Sequence, residues 1–166
     1  MPMQYTTLGR TGLKVSVAGL GTGGFSRLGL ANGGTEDEAI AVVRTAHELG
    51  VTLFDTGTNY MNEAVLGQAL KPIRRDEIVI TTKSPIHRGD GKRSVDEIVG
   101  MLDASLRDLR TDYVDVFQLH GPPPAFYEYA VNEVIPAMLK EKAKGKFRHL
   151  GISETAPGDE IGRAHV

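Results

Sequence analysis

"IVITTKS", residues 78–84, is β-branched through its first five positions and then ends on a lysine and a serine. A short run of this kind reads as a strand that is buried on both faces, the pattern of a parallel sheet with helices on either side. The neighbouring segments repeat the theme. "VAGLGTGG" (17–24) and "VTLFDTG" (51–57) precede it, "YVDVFQLHG" (113–121) and "FRHLGIS" (147–153) follow, and strands therefore recur about every 30 residues.

Helical sequence fills the gaps. Thr35 and Glu38 form a T-x-x-E capping box opening a helix with Ile40, Val43, Ala46 and Leu49 on one face, closed by Gly50 at C′. A short helix is expected over 63–70. Ser94 and Glu97 make a second box, for a helix carrying Ile98, Leu102, Ser105, Leu106 and Leu109. A last helix runs to about Lys144, its basic end suiting the negative pole of the dipole, with Pro136 as a kink or restart. At the start, "YTTLGRTGLKVSV" (5–17) turns around Gly9 and Gly12 and reads as a hairpin.

Alternation of strand and helix at this period is the rhythm of parallel βαβ units, so the fold class is α/β. Five strands do not close a barrel, but the same period carried through eight units reaches the ~250 residues of a (β/α)8 TIM barrel. The fifth strand is followed by "ETAPGDEIGRAHV", which has too few apolar residues to cover it. The expectation is a barrel truncated after its fifth strand, with an N-terminal β-hairpin. Glu160 to Val166 spell what one frame of a widely used sequencing adapter encodes, so 1–159 is expected to be the native portion and 160–166 a non-native tail. Such a chain by itself is expected to leave strand edges unpaired and to have little or no activity.

Composition narrows the class further. The 166 residues are 40% hydrophobic and 24% charged, with a net charge of −2, which argues against nucleic-acid and acidic-membrane partners. Cysteine is absent, excluding disulfides and thiolate metal sites. No apolar run approaches the ~20 residues of a membrane span, and the start lacks a signal peptide, so a soluble cytoplasmic protein is expected. Nothing in the sequence points to an oligomeric state.

Ligands of parallel α/β folds sit at the carboxyl ends of the strands. Asp55 ends the second strand, Lys83 the third, His120 the fourth and Ser153 the fifth, and Tyr60 follows Asp55 in its loop. Taken singly each has a plain reading: a turn-forming aspartate, an exposed lysine, a structural histidine, a packed tyrosine. Their equivalent places in successive units argue for a joint role. A phenol is a poor acid at neutral pH; a nearby ammonium stabilises phenolate, and a carboxylate fixes the ammonium. A neutral histidine can polarise a carbonyl beside the phenol. Such a group can protonate an oxygen while hydride reaches its carbon, and hydride requires a nicotinamide cofactor.

These residues lie in motifs that resemble the aldo-keto reductase family: "LGRTGLKVS", "GLGTGG", "FDTGTNYMNEAVLG", "VITTKS", "YVDVFQLHG" and "GKFRHLGIS", in order from Tyr5 to Ser153. The resemblance implies a (β/α)8 barrel holding NADPH, or NADH, and a small-molecule carbonyl substrate. It implies a catalytic tetrad of Asp55, Tyr60, Lys83 and His120, with Tyr60 as proton donor. Gly21 and Thr22 would lie near the nicotinamide, Ser153 would hydrogen-bond its carboxamide, and Asp55 would face the cofactor as well; no metal is implied. Two departures stand out. The family often reads Tyr-Gly-x-Glu where this chain has Tyr60-Met61-Asn62-Glu63, and Ser-Asn where it has Ser153-Glu154. The family also binds the cofactor's phosphates and adenosine chiefly through its last barrel strands.

Other readings remain at this level. Lys83 on a barrel strand could form a Schiff base in a lyase. A metal hydrolase could use Asp55, His120 and His87, although no H-x-H or H-E-x-x-H spacing occurs. A non-catalytic nucleotide-binding or regulatory protein could keep the same scaffold. Gly19, Gly21 and Gly24 satisfy G-x-G-x-x-G, but the next helix starts only near Thr35, which is too late for a dinucleotide fingerprint.

Overall fold

A computed structural model describes residues 2–153; Glu154 and the segment 160–166 lie outside them. Two strands, β1 (Tyr5–Thr7) and β2 (Lys14–Ser16), form the expected antiparallel hairpin. The alternating apolar and glycine-rich segments then give β3 (Gly19–Gly21), α1 (Glu36–Glu48), β4 (Leu53–Asp55), α2 (Glu63–Leu70) and β5 (Val79–Ser84). A small hairpin of β6 (His87–Arg88) and β7 (Gly91–Lys92) follows. The remainder is α3 (Val95–Asp108), β8 (Val114–His120), α4 (Tyr127–Tyr129), α5 (Ile135–Ala143) and β9 (Phe147–Ser153).

Five strands make one parallel sheet in the order β3-β4-β5-β8-β9. Every residue of β5 is buried, as its β-branched run predicts. Consecutive strands lie side by side with helices between, so these residues have the architecture of the first five strands of a (β/α)8 barrel. The β1–β2 hairpin is fastened to the amino end of β4: Ser16 N–H donates to Thr52 Oγ1 and Thr52 N–H to Ser16 Oγ, both at 2.9 Å. Its tip closes a cavity of about 460 Å³ walled by Leu53, Asp55, Val116 and Gln118. The other face packs Phe54, Ile80, Phe117 and Leu119 against the helices.

Both capping boxes form, with Glu38 accepting from Thr35 N–H at 2.8 Å and Glu97 from Ser94 N–H at 2.7 Å. One helical expectation fails. Leu49 is 70% exposed, because the chain leaves the helix there through Gly50 at φ 96°, and Val51 takes the place against the core. Pro136 has a clear consequence. It has no N–H to return to the preceding turn, and the five residues Ala130–Val134 before α5 widen into a π-helical turn, with Ile135 N–H bonded to Ala130 O. The β6–β7 hairpin was not anticipated, although "RGDG" (88–91) carries a Gly-Asp turn signal, with Gly89 at φ 55°.

Candidate active site

Parallel register aligns the strand ends. Gly21 lies opposite Asp55, Asp55 opposite Thr81, Lys83 opposite Gln118 and His120 opposite Ser153. Because side chains alternate, these residues share one face of the sheet.

Lys83 is the centre of the group. Its Nζ donates to the Asp55 carboxylate oxygens at 2.7 and 2.6 Å and to the Thr56 carbonyl at 2.9 Å, which spends all three donors. The residue is only 5% exposed, so its charge needs this full set of partners. Thr81 Oγ1 adds a bond to Asp55 Oδ1 at 2.5 Å. The Asp55 side chain keeps 37% exposure, so the pair reaches the mouth.

Tyr60 closes a one-turn helical segment, Thr58–Tyr60, its N–H bonded to Gly57 O at 2.9 Å. Lys83 Nζ lies 5.1 Å from its ring centroid, within cation–π range. The His120 ring meets it edge-on at 5.7 Å and 88°. Burial, and then the Lys83 charge, hold the His120 imidazole below its ordinary 6.5, so it is neutral at pH 7. Its Nδ1 is buried without a hydrogen-bond partner. Asp55, Tyr60, Lys83 and His120 are thus brought together as the sequence suggested.

Two residues that hold this group escaped sequence reasoning. A Cβ on Gly23 would stand 2.6 Å from Tyr60 Cζ, so only glycine leaves room for the phenol ring. Asn62, at the N-cap of α2, makes no capping bond. Instead its Nδ2 donates to Thr22 O at 2.7 Å, and its Oδ1 accepts from Thr22 and Thr56 hydroxyls at 3.1 and 3.2 Å. It is 1% exposed and ties the ends of β3 and β4 beneath Tyr60. The glycine-rich stretch and the turn-forming Asn were visible, but not that they meet across about 40 residues. Between them Met61 adopts a left-handed φ of 56° while 77% exposed, so the turn survives without glycine.

The cofactor-facing residues divide. Gly21 is exposed, with nothing within 4 Å of where a Cβ would stand. Ser153 is half-buried, its Oγ accepting from Gly121 N–H at 3.2 Å and donating to no partner among the described residues. Thr22, in contrast, is fully buried; its hydroxyl and carbonyl bond Asn62 and its N–H bonds Asp55 O at 2.8 Å. It shapes the strand end rather than touching what lies above it. An open glycine, a serine hydroxyl, a phenol, a neutral imidazole with an unpartnered nitrogen and a carboxylate on one mouth fit a nicotinamide beside a carbonyl. Among the described residues no three His, Asp or Glu side chains gather as metal ligands.

Comparison with known proteins agrees with this geometry. The model of the aldo/keto reductase family matches residues 18–165. L-galactose dehydrogenase of Arabidopsis thaliana is 36% identical over 157 residues, covering 91% of this chain and 48% of the relative. Methylglyoxal reductase DkgB of Salmonella typhi is 42% identical over 120 residues, covering 71% and 43%. Among solved structures, the holo form of aldo-keto reductase AKR11C1 from Bacillus halodurans superposes with a TM-score of 0.77 at 31% identity, covering 99% of this chain and 55% of that one. The chain spans about half the length of the curated relatives it matches.

Proposed function

Because this chain belongs to the aldo/keto reductase family, we propose that it carries the catalytic residues of an NAD(P)H-dependent reductase of aldehydes or ketones. The observation that carries this reading is the contact series Asp55–Lys83–Tyr60–His120, with separations of 2.6 Å, 5.1 Å and 5.7 Å between successive groups. The nicotinamide, when bound, supplies hydride. Gly21, Ser153 and Asp55 line its place, with Thr22 supporting from behind. Tyr60 gives its proton to the carbonyl oxygen; the Lys83 ammonium favours the phenolate left behind, and Asp55 holds that ammonium in position. Neutral His120 orients the carbonyl by a hydrogen bond.

The Schiff-base alternative has less support. A lysine whose three hydrogens bond two carboxylate oxygens and a carbonyl is held as an ammonium, whereas a nucleophilic lysine needs its lone pair free.

The test is Tyr60→Phe in the full product of the gene. NADPH oxidation with an aldehyde should fall by a factor of about 10²–10⁴, the usual contribution of a positioned general acid. NADPH binding, followed by fluorescence, should persist. Unchanged turnover would remove Tyr60 from the proton-donor role.

A further inference from the structure

A second cavity, about 450 Å³, opens beside His120, which is a wall of it. Asn59, His87, Arg88 and Arg93 contribute the other polar side chains, and among the described residues no carboxylate lines it. His87 Nδ1 and Arg93 Nε are buried there without a hydrogen-bond partner. Neither guanidinium forms an ion pair among the described residues. Glu97 lies within electrostatic range of both arginines without pairing with either; its Oε2 accepts from Ser94 N–H at 2.7 Å and Ser94 Oγ at 3.1 Å. Lys92, the next cation along, turns instead over the Tyr129 ring at 4.7 Å.

The walls are built rather than loose. His87 pairs with Lys92 across the β6–β7 hairpin and stacks on Phe126 with centroids 5.4 Å apart. Arg93 N–H bonds Ile86 O at 3.0 Å, and the Tyr129 hydroxyl donates to Arg93 O. A pocket with two guanidiniums, two imidazoles and an amide, and no lining carboxylate among the described residues, has the chemistry of an oxyanion site.

We infer that this pocket seats a carboxylate or phosphate carried by the carbonyl substrate, so that the reductase acts on short anionic aldehydes or ketones. The inference rests on the reductase reading for the word substrate, but the anion site itself does not. His120 faces both places, so an anion in the pocket is a few bonds from a carbonyl at Tyr60. Arg93 and Arg88 then select substrates by charge.

The test uses the full product of the gene and needs neither cofactor nor turnover. Imidazole NMR signals of His87 and His120 are followed during titration with 4-oxobutanoate, and separately with neutral butanal. The expected result is saturable movement of the His87 signals with 4-oxobutanoate alone, reversed by inorganic phosphate. Arg93→Gln should weaken binding about tenfold or more, and exposed Arg88→Gln, which does not threaten the fold, about threefold or more. Equal response to butanal, or unchanged affinity in both folded variants, overturns the anion site. A response to phosphate with none to 4-oxobutanoate overturns the substrate assignment. Loss of the Tyr60 effect with anion binding intact would sink the reductase reading alone.

Discussion

Thr82 and Lys83 are neighbours on β5, and each meets a carboxylate on its own face of the sheet, with opposite results. On the lumen face Asp55 meets an ammonium at 2.6 Å and remains partly open to the mouth. On the helix face Glu63 meets only hydroxyls: Thr82 Oγ1 donates to Oε1 at 2.6 Å and Ser105 Oγ to Oε2 at 3.0 Å. Among the described residues it forms no ion pair, and burial pushes its carboxyl above the ordinary 4.5, against the opposing pull of those hydroxyls and of the more distant Lys83 charge. A single step along a strand thus separates a salt bridge at the mouth from a clamp joining α2, β5 and α3. The partner decides which role a carboxylate takes, not the residue type.

The same amide exchange on the two faces breaks the comparison most directly. Asp55→Asn leaves the buried Lys83 ammonium without its counter-charge and turns an N–H toward it. Carbonyl reduction by the full gene product should fall about 10²-fold or more, with a stability loss of about 1–3 kcal/mol, moderated by solvent at the half-open aspartate. Chemical denaturation and steady-state NADPH oxidation read both numbers. If Asp55→Asn is as mild as its Glu63 counterpart, the two carboxylates do not differ.

Glu63→Ala removes the acceptor of two buried hydroxyls and should cost about 2–4 kcal/mol. Glu63→Gln keeps the shape and should stay within about 1 kcal/mol of the parent at neutral pH. The pH dependence sharpens this. A carboxyl whose folded value is raised favours the folded state most below its unfolded value of 4.5, and that advantage is lost as pH rises through the raised folded value. Glu63→Gln, which does not titrate, should therefore gain on the parent as pH rises above 4.5. Parallel stability curves for the two proteins would show that Glu63 is ionised without penalty.

The smallest expected effect lies in the turn joining the two carboxylates. Met61 holds a left-handed conformation costing about 1–2 kcal/mol for a side-chain-bearing residue, partly offset by the extra unfolded-state freedom of glycine. Met61→Gly should raise stability by about 0.5 kcal/mol, seen as a rise of a few degrees or less in Tm. A fall would mean that the exposed Met61 side chain contributes contacts worth more than the strain.

Much of this arrangement was legible before the structure. The capping boxes at Thr35 and Ser94 could be read because capping is completed within four residues of chain. Asp55, Lys83 and His120 could be placed together because parallel strands of equal period end at one level. Leu49 was misjudged because it is the C-cap residue, where the side chain no longer follows the helical face, although Gly50 marked the exit correctly. Thr22 was expected near a ligand by position, but its hydroxyl and carbonyl are bonded to Asn62, 40 residues along the chain.

Sequence by itself therefore determined the α/β rhythm, the N-terminal hairpin and the common level of Asp55, Lys83 and His120 at successive strand ends, all of which depend on local chemistry and a repeating period. Tertiary structure alone decided which groups touch. Gly23 makes room for Tyr60, Asn62 ties Thr22 to Thr56, Glu63 is enclosed by Thr82 and Ser105, and His87 joins Arg93 beside His120. Most of these contacts join segments from different βα units, so their distances follow from how the strands twist and pack, and no local pattern of residues encodes them.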